Sequence, residues 1–211
     1  LRRYEVLPPI LGDLPALRGM LAHPQNLDVQ VRANQLLEEV RGQTGADSIY
    51  LMDATGTTLA ASNWRQSDSF VGRNFAFRPY FREAVTGHLG RFFGLGTTSG
   101  KRGYYFAAAV KEGDTVAGAL VVKVDLDTTE TLWGNTPEQL MVTDNNGVVI
   151  LTSHAEWRFR ATRELSEQER REIAANKPYP TLEPQALKLN GNAWIIQSRS
   201  LAETGWTVSI L

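Results

Sequence analysis

Apolar residues recur at helical spacing through the first 45 positions. Between Leu27 and Val40, the residues Val29, Val31, Leu36, Leu37 and Val40 fall on one side of a helical wheel, with Gln, Arg and Glu elsewhere. Asp28 is placed to cap this helix and Gly42 to end it. Leu14, Leu17 and Leu21 make a shorter stripe upstream. Pro8-Pro9 and Pro24 interrupt the run, which predicts kinks or two helices rather than one rod. The pattern fits a packing helix and a dimerising stalk equally well.

After Gly45 the period shortens to that of strands. Residues 48–52 and 57–62 flank Asp53-Ala54-Thr55-Gly56, which reads as a hairpin. Residues 77–86 have helix character, and three apolar strands follow at 90–98, 104–111 and 116–124. Glu112-Gly113-Asp114 is a tight turn between the last two.

The first strand–turn–strand then repeats. Ile49-Tyr50-Leu51-Met52-Asp53-Ala54-Thr55-Gly56-Thr57-Thr58-Leu59-Ala60-Ala61-Ser62 recurs as Leu140-Met141-Val142-Thr143-Asp144-Asn145-Asn146-Gly147-Val148-Val149-Ile150-Leu151-Thr152-Ser153. Asp, Gly and Ser keep a constant offset, and the apolar pattern around them is kept. A fainter echo pairs Gly118 with Gly205, which sets Lys123 opposite Ile210. Two copies of one plan predict two similar α/β subdomains in tandem. The expected division is a helical segment 1–45, a first subdomain 46–135 and a second 136–211, with turn chemistry at Asn135-Thr136-Pro137.

Composition adds mainly exclusions. With 42% hydrophobic and 21% charged residues over 211 positions the chain is globular. A net charge of −1 excludes a broadly basic nucleic-acid binder, and zero cysteines exclude disulfides and thiolate chemistry. The three histidines, His23, His88 and His154, stand in no metal-binding arrangement; no G-x-S-x-G elbow and no phosphate-loop lysine is present. No enzymatic site, metal or cofactor is therefore expected.

Charge placement is more informative. Between Asn63 and Tyr105 lie seven basic residues (Arg65, Arg73, Arg78, Arg82, Arg91, Lys101 and Arg102) against only Asp68 and Glu83, which points to an anionic ligand. Arg78 sits within Phe75-Ala76-Phe77-Arg78-Pro79-Tyr80-Phe81, where aromatic rings would desolvate its guanidinium. Lys123 interrupts the apolar run 119–124 and, once buried, needs a partner. That partner is either a ligand anion or a carboxylate of the chain, Asp125 or a neighbour. With an anion as its only partner, removing Lys123 would leave the fold intact or firmer. The second copy has no counterpart of Lys123, of Thr97-Thr98-Ser99 or of the Phe-Arg-Pro-Tyr-Phe segment, so the first copy is expected to bind and the second to couple or support.

These motifs are also familiar. Ser62-Asn63-Trp64, Val71-Gly72-Arg73-Asn74-Phe75, Phe77-Arg78-Pro79-Tyr80-Phe81, Gly96-Thr97-Thr98-Ser99-Gly100, Gly103-Tyr104-Tyr105 and Val121-Val122-Lys123-Val124-Asp125 closely resemble the sensor region of DctB-type C4-dicarboxylate sensor histidine kinases. The likeness is dense over residues 60–125 and weaker beyond. It implies an α+β fold: a long N-terminal helix, then two tandem PAS-like (double Cache) subdomains with antiparallel sheets. The family's domain is periplasmic, in an inner-membrane protein, between two membrane helices and ahead of a kinase. It implies a homodimer in the full-length receptor and a dicarboxylate transporter as a further partner. Family ligands are succinate, fumarate and malate, held in the membrane-distal subdomain. Carried over, Arg78, Thr97, Ser99 and Lys123 form the carboxylate-binding set, and Phe75, Phe77 and Tyr105 the walls. Three other readings stay open: a sensor for 2-oxoglutarate or another small carboxylate, a hydrolase or transferase of a small anion, and a purely structural or partner-binding ectodomain.

Overall fold

The computed structural model describes residues 1–131, 138–180, 186–187, 197–202 and 204–211. Contacts divide the chain into two units, Leu1–Asp125 and Leu126–Leu211. The expected turn at Asn135-Thr136-Pro137 lies outside the described residues.

The first unit begins with four helical segments, α1 (Arg2–Glu5), α2 (Leu7–Gly12), α3 (Pro15–Ala22) and α4 (Leu27–Thr44). Pro8 and Pro15 each stand in a first helical turn, where a missing N–H costs nothing. Asn26, not Asp28, caps α4: its side chain accepts from the backbone N–H groups of Asp28 and Val29. Asp28 lies in the first turn, where a negative charge suits the helix dipole. The helix runs through Gly42 and stops at Gly45, whose φ of 71° is left-handed.

The five strands that follow are β1 (Ser48–Asp53), β2 (Thr58–Ala61), β3 (Gly90–Leu95), β4 (Arg102–Glu112) and β5 (Thr115–Asp125), with α5 (Pro79–Val85) between β2 and β3. They form an antiparallel sheet of order β2-β1-β5-β4-β3. Register puts Ser48 opposite Lys123 and Lys123 opposite Tyr105, so alternate residues assign the two faces.

One face carries Ile49, Leu51, Phe106, Leu120 and Val122 and lies under the N-terminal helices, which bury Leu11, Leu17, Met20 and Leu37. Approach is close. A Cβ on Gly12 would sit 3.0 Å from Val110 Cγ2, and one on Gly118 would sit 2.8 Å from Leu21 Cδ2. Asn34 Oδ1 of α4 accepts from the Ala61 N–H at 2.8 Å. The segment 1–45 is thus packed onto the first sheet and belongs to that unit. The other face carries Tyr50, Tyr105, Val121 and Lys123 and is covered by residues 63–85, including Phe70, Phe75, Tyr80 and Phe81.

The second unit contains α6 (Asp127–Thr131), β6 (Leu140–Thr143), β7 (Val149–Thr152), α7 (Glu167–Asn176), β8 (Gln197–Leu201) and β9 (Trp206–Ile210). Its sheet order, β7-β6-β9-β8, reproduces β2-β1-β5-β4. The repeated residues make the same bonds. Asp53 Oδ1 accepts from the N–H groups of Thr55 and Thr57 at 2.8 and 3.0 Å; Asp144 Oδ1 accepts from Asn146 and Val148 at 2.9 and 3.0 Å. Ser62 Oγ takes the Ile49 N–H at 2.9 Å, and Ser153 Oγ takes the Leu140 N–H at 3.0 Å. Gly56 and Gly147 turn with φ of 83° and 73°. The duplication is real at the level of individual hydrogen bonds.

Register corrects one detail of the repeat. Ile49 faces Val122 and its equivalent Leu140 faces Ile210, so the counterpart of Lys123 is Leu211, not Ile210. A one-residue slip in a strand moves a side chain to the opposite face. Leu211 packs with Met141, Val149, Trp157 and Leu187. The position that holds a buried lysine in the first unit therefore holds an apolar residue in the second.

Candidate functional site

Arg78 is the cap residue of α5, and its extended backbone (ψ 136°) turns the chain into the helix. Only 2% of the residue is exposed. One guanidinium nitrogen donates to the Leu95 carbonyl at 2.7 Å, and the group lies 4.9 and 5.4 Å from the ring centroids of Phe77 and Phe92. Cation–π contact of this kind holds a desolvated guanidinium without neutralising its charge.

Beside it, Tyr50, Phe70, Phe75, Tyr80 and Tyr105, with the loop residues Gly96, Thr97 and Thr98, line a narrow cavity of about 10 Å³, room for the centre of about one water. The rings are ordered against each other. Tyr80 and Tyr105 stack 5.0 Å apart, and the hydroxyls of Tyr50 and Tyr80 share a hydrogen bond of 2.7 Å. Burial pushes all three phenols above their ordinary range, so they remain protonated and act as neutral hydrogen-bonding groups.

Lys123 is fully buried, on the same sheet face as Tyr105. Its Nζ lies 2.8 Å from Asp47 Oδ2 and donates to Ser99 Oγ at 3.1 Å. The glycine at 103 makes room for it: a Cβ there would meet Lys123 Cε at 2.6 Å and Tyr105 Cε2 at 3.3 Å. Gly96 plays the same part beside the loop, where a Cβ would meet Ser99 Oγ at 2.5 Å and the Tyr105 hydroxyl at 3.4 Å. Both Arg78 and Asp47 act electrostatically on the Tyr105 phenol.

Of the residues expected from the sequence, Arg78, Thr97, Phe75 and Tyr105 line the cavity; Ser99 and Lys123 are hydrogen-bonded to each other close to Tyr105; Phe77 contributes through its contact with Arg78. The seven-base cluster does not converge. Arg65 pairs with Glu38, Arg91 pairs with Glu5, and Arg102 is buried on the helix-covered face. The sequence reading missed Asp47, Tyr50, Phe70 and Tyr80. The sequence offers a ligand anion, Asp125 or a neighbouring carboxylate as the partner of Lys123; the carboxylate at Lys123 is Asp47, brought there by the pairing of β1 with β5.

A family model described as a Cache domain matches residues 2–211. The chain belongs to the Cache family. It is 63% identical over 210 residues to the C4-dicarboxylate transport sensor protein DctB of Pseudomonas aeruginosa, covering 100% of this chain and 34% of that protein. The DctB of Rhizobium meliloti is 38% identical over 165 residues, 78% of this chain and 26% of that one. Among solved structures, the sensor domain of the Vibrio cholerae histidine kinase DctB superposes with a TM-score of 0.90 at 32% identity, covering 100% of this chain and 88% of that one. This Cache domain is thus of the DctB sensor type, as its motifs indicated, and it spans about a third of the length of the Pseudomonas relative. The ligand-binding domain of Mlp24 with asparagine shares the Cache fold at a TM-score of 0.60 and 16% identity.

In the second unit of this Cache domain, the equivalent turn has its own electrostatics. Burial lifts the Asp144 carboxyl to about 6, against the opposing hydrogen bonds from Val148 and Asn146; the Tyr179 hydroxyl also donates to it. The folded state then binds this proton more tightly than the unfolded chain does, so ionisation costs stability. That cost, of order 3 kcal/mol for a shift of about two units, is full above pH 6 and fades as the pH falls towards 4. Thermal unfolding between about pH 7.5 and about pH 5 checks this. The melting temperature should rise on acidification relative to Asp144→Asn; parallel curves would contradict it.

Proposed function

We propose that this chain is the extracytoplasmic ligand-binding domain of a two-component sensor kinase and takes up a C4-dicarboxylate in its first unit. One carboxylate is held by the Arg78 fork with Thr97, the other by Lys123 with Ser99, and Phe75, Phe77, Tyr50, Tyr80 and Tyr105 form the waist. The observation that carries this reading is two buried cations, Arg78 and Lys123, both close to one aromatic residue, Tyr105. Arginine offers two parallel donors to a carboxylate, lysine a point charge, and the hydroxyls add donors without adding charge. In the second unit Leu211 and Met141 stand where the first has Lys123 and Tyr50, so its equivalent of the lysine is not a cation.

The DctB relatives carry the dicarboxylate assignment in their names. By that analogy the domain lies in the periplasm between two membrane helices, pairs with a second copy in the full receptor, and works alongside a dicarboxylate transporter. Because the cavity holds about one water, a four-carbon diacid enters with outward movement of the loop 96–101, which is closed by backbone bonds from Gly96 to Lys101 and from Gly100 to Gly96.

The test compares succinate with butyrate, which has the same length and one carboxylate. Ligand at a hundred times its dissociation constant stabilises the folded chain by about 2.7 kcal/mol. Succinate should raise the melting temperature accordingly, and butyrate at equal concentration much less. Equal shifts would remove the two-ended site.

A further inference from the structure

We infer that Asp47 is a resident counter-ion that competes with the ligand for Lys123 and thereby holds down the affinity of the site for diacids while leaving that for monoacids unchanged. The inference rests on the binding reading above and concerns a residue that reading does not use.

The charge balance comes first. The site holds two cations, Arg78 and Lys123, and Lys123 already lies 2.8 Å from the Asp47 carboxylate. A bound dianion would set three negative charges against two positive ones in a region where Lys123 is 0% exposed, and an uncompensated buried charge is strongly disfavoured. One carboxylate has to leave the ammonium. Exposure decides which. The Asp47 side chain is 17% exposed and has a way to water, whereas the ammonium has none.

The backbone makes the exchange local. The Asp47 N–H donates to the Lys123 carbonyl at 2.9 Å, and the Asp47 carbonyl accepts from Arg41 Nε at 2.8 Å. With the main chain pinned on both sides, displacement takes only a side-chain rotation, away from Lys123 and from Ser48 Oγ at 3.2 Å. An acid with one carboxylate, held at Arg78, leaves the Asp47–Lys123 pair intact. A diacid long enough to reach from Arg78 to Lys123 replaces it and gains the second contact.

Calorimetry on the 211-residue chain and on Asp47→Asn tests this, with succinate and butyrate as probes. Removing the competitor should tighten succinate by about tenfold or more and leave butyrate within about twofold, because only the Lys123 end changes. Succinate bound equally or more weakly by Asp47→Asn, while the unmodified chain binds it, overturns the inference alone. No succinate binding by the unmodified chain removes the binding reading and the inference with it. If Asp47→Asn does not fold, the unmodified chain still decides: the Asp47 side-chain carboxyl carbon resonance, followed by NMR, should move on saturation with succinate and stay in place with butyrate. A resonance unmoved by succinate overturns the inference.

Discussion

Arg78→Met is expected to weaken succinate binding by about 30-fold to several thousandfold, the loss that follows when one partner of a buried charged pair is truncated at a cost of about 2–5 kcal/mol. Arg78 is 2% exposed and its guanidinium lies against Phe77 and Phe92, so a carboxylate that pairs with it does so away from bulk water. Methionine keeps much of the volume and removes the charge and the fork. Arg78→Lys keeps the charge and loses the paired donors, and should fall between the two. Arg78 also donates to the Leu95 carbonyl, so the variant loses stability of about 1–3 kcal/mol from that unsatisfied group. Isothermal titration on variants shown by circular dichroism to be folded separates the effects. Wild-type affinity in folded Arg78→Met would mean the ligand does not touch this end.

Lys123→Met is expected to abolish tight dicarboxylate binding and to destabilise the ligand-free chain. The sequence, with an anion as the only partner for Lys123, points to a fold left intact or firmer by its removal. The pair with Asp47 reverses that expectation, because the variant leaves a carboxylate without its cation. Breaking a fully buried pair costs about 3–5 kcal/mol; Asp47 keeps some contact with water, which places the loss at or below the lower end. Combining Lys123→Met with Asp47→Asn should recover most of that stability and none of the binding. Denaturant unfolding of both singles and the double gives the coupling directly. A double variant no more stable than Lys123→Met would show that the pair does not hold the fold.

Local chemistry made the architecture legible. The Asp53 and Asp144 turns are visible in sequence because each needs an acceptor at the first position and a left-handed glycine three residues on, and the structure uses both as expected. The register of β5 against β9 was not legible. The faint echo equates Gly118 with Gly205, but these glycines serve different ends. Gly205 has a φ of 69° and belongs to a turn, while Gly118 sits in a strand where a Cβ would meet the Met52 carbonyl at 2.1 Å. Matching them slips the strand by one residue.

The basic cluster failed as a guide for a related reason. Counting charges within 63–105 omits Glu5 and Glu38 on the N-terminal helices, which are the partners of Arg91 and Arg65. What singles out Arg78 is its aromatic company, and the structure buries it against Phe77 and Phe92. Asp47 could not be found without the strand pairing, since 76 positions separate it from Lys123. Tyr50 belongs to the repeated strand and Tyr80 to the aromatic segment around Arg78, and only their hydroxyl contact marks them as part of a polar site.

The most direct test of the account is a crystal structure of the chain grown with saturating succinate. One diacid is expected in the first unit, with one carboxylate on Arg78 and Thr97, the other on Lys123 and Ser99, and Tyr105 alongside its carbon chain. Succinate seated in the second unit against Met141 and Leu211, or bound in the first unit without touching both Arg78 and Lys123, would contradict it.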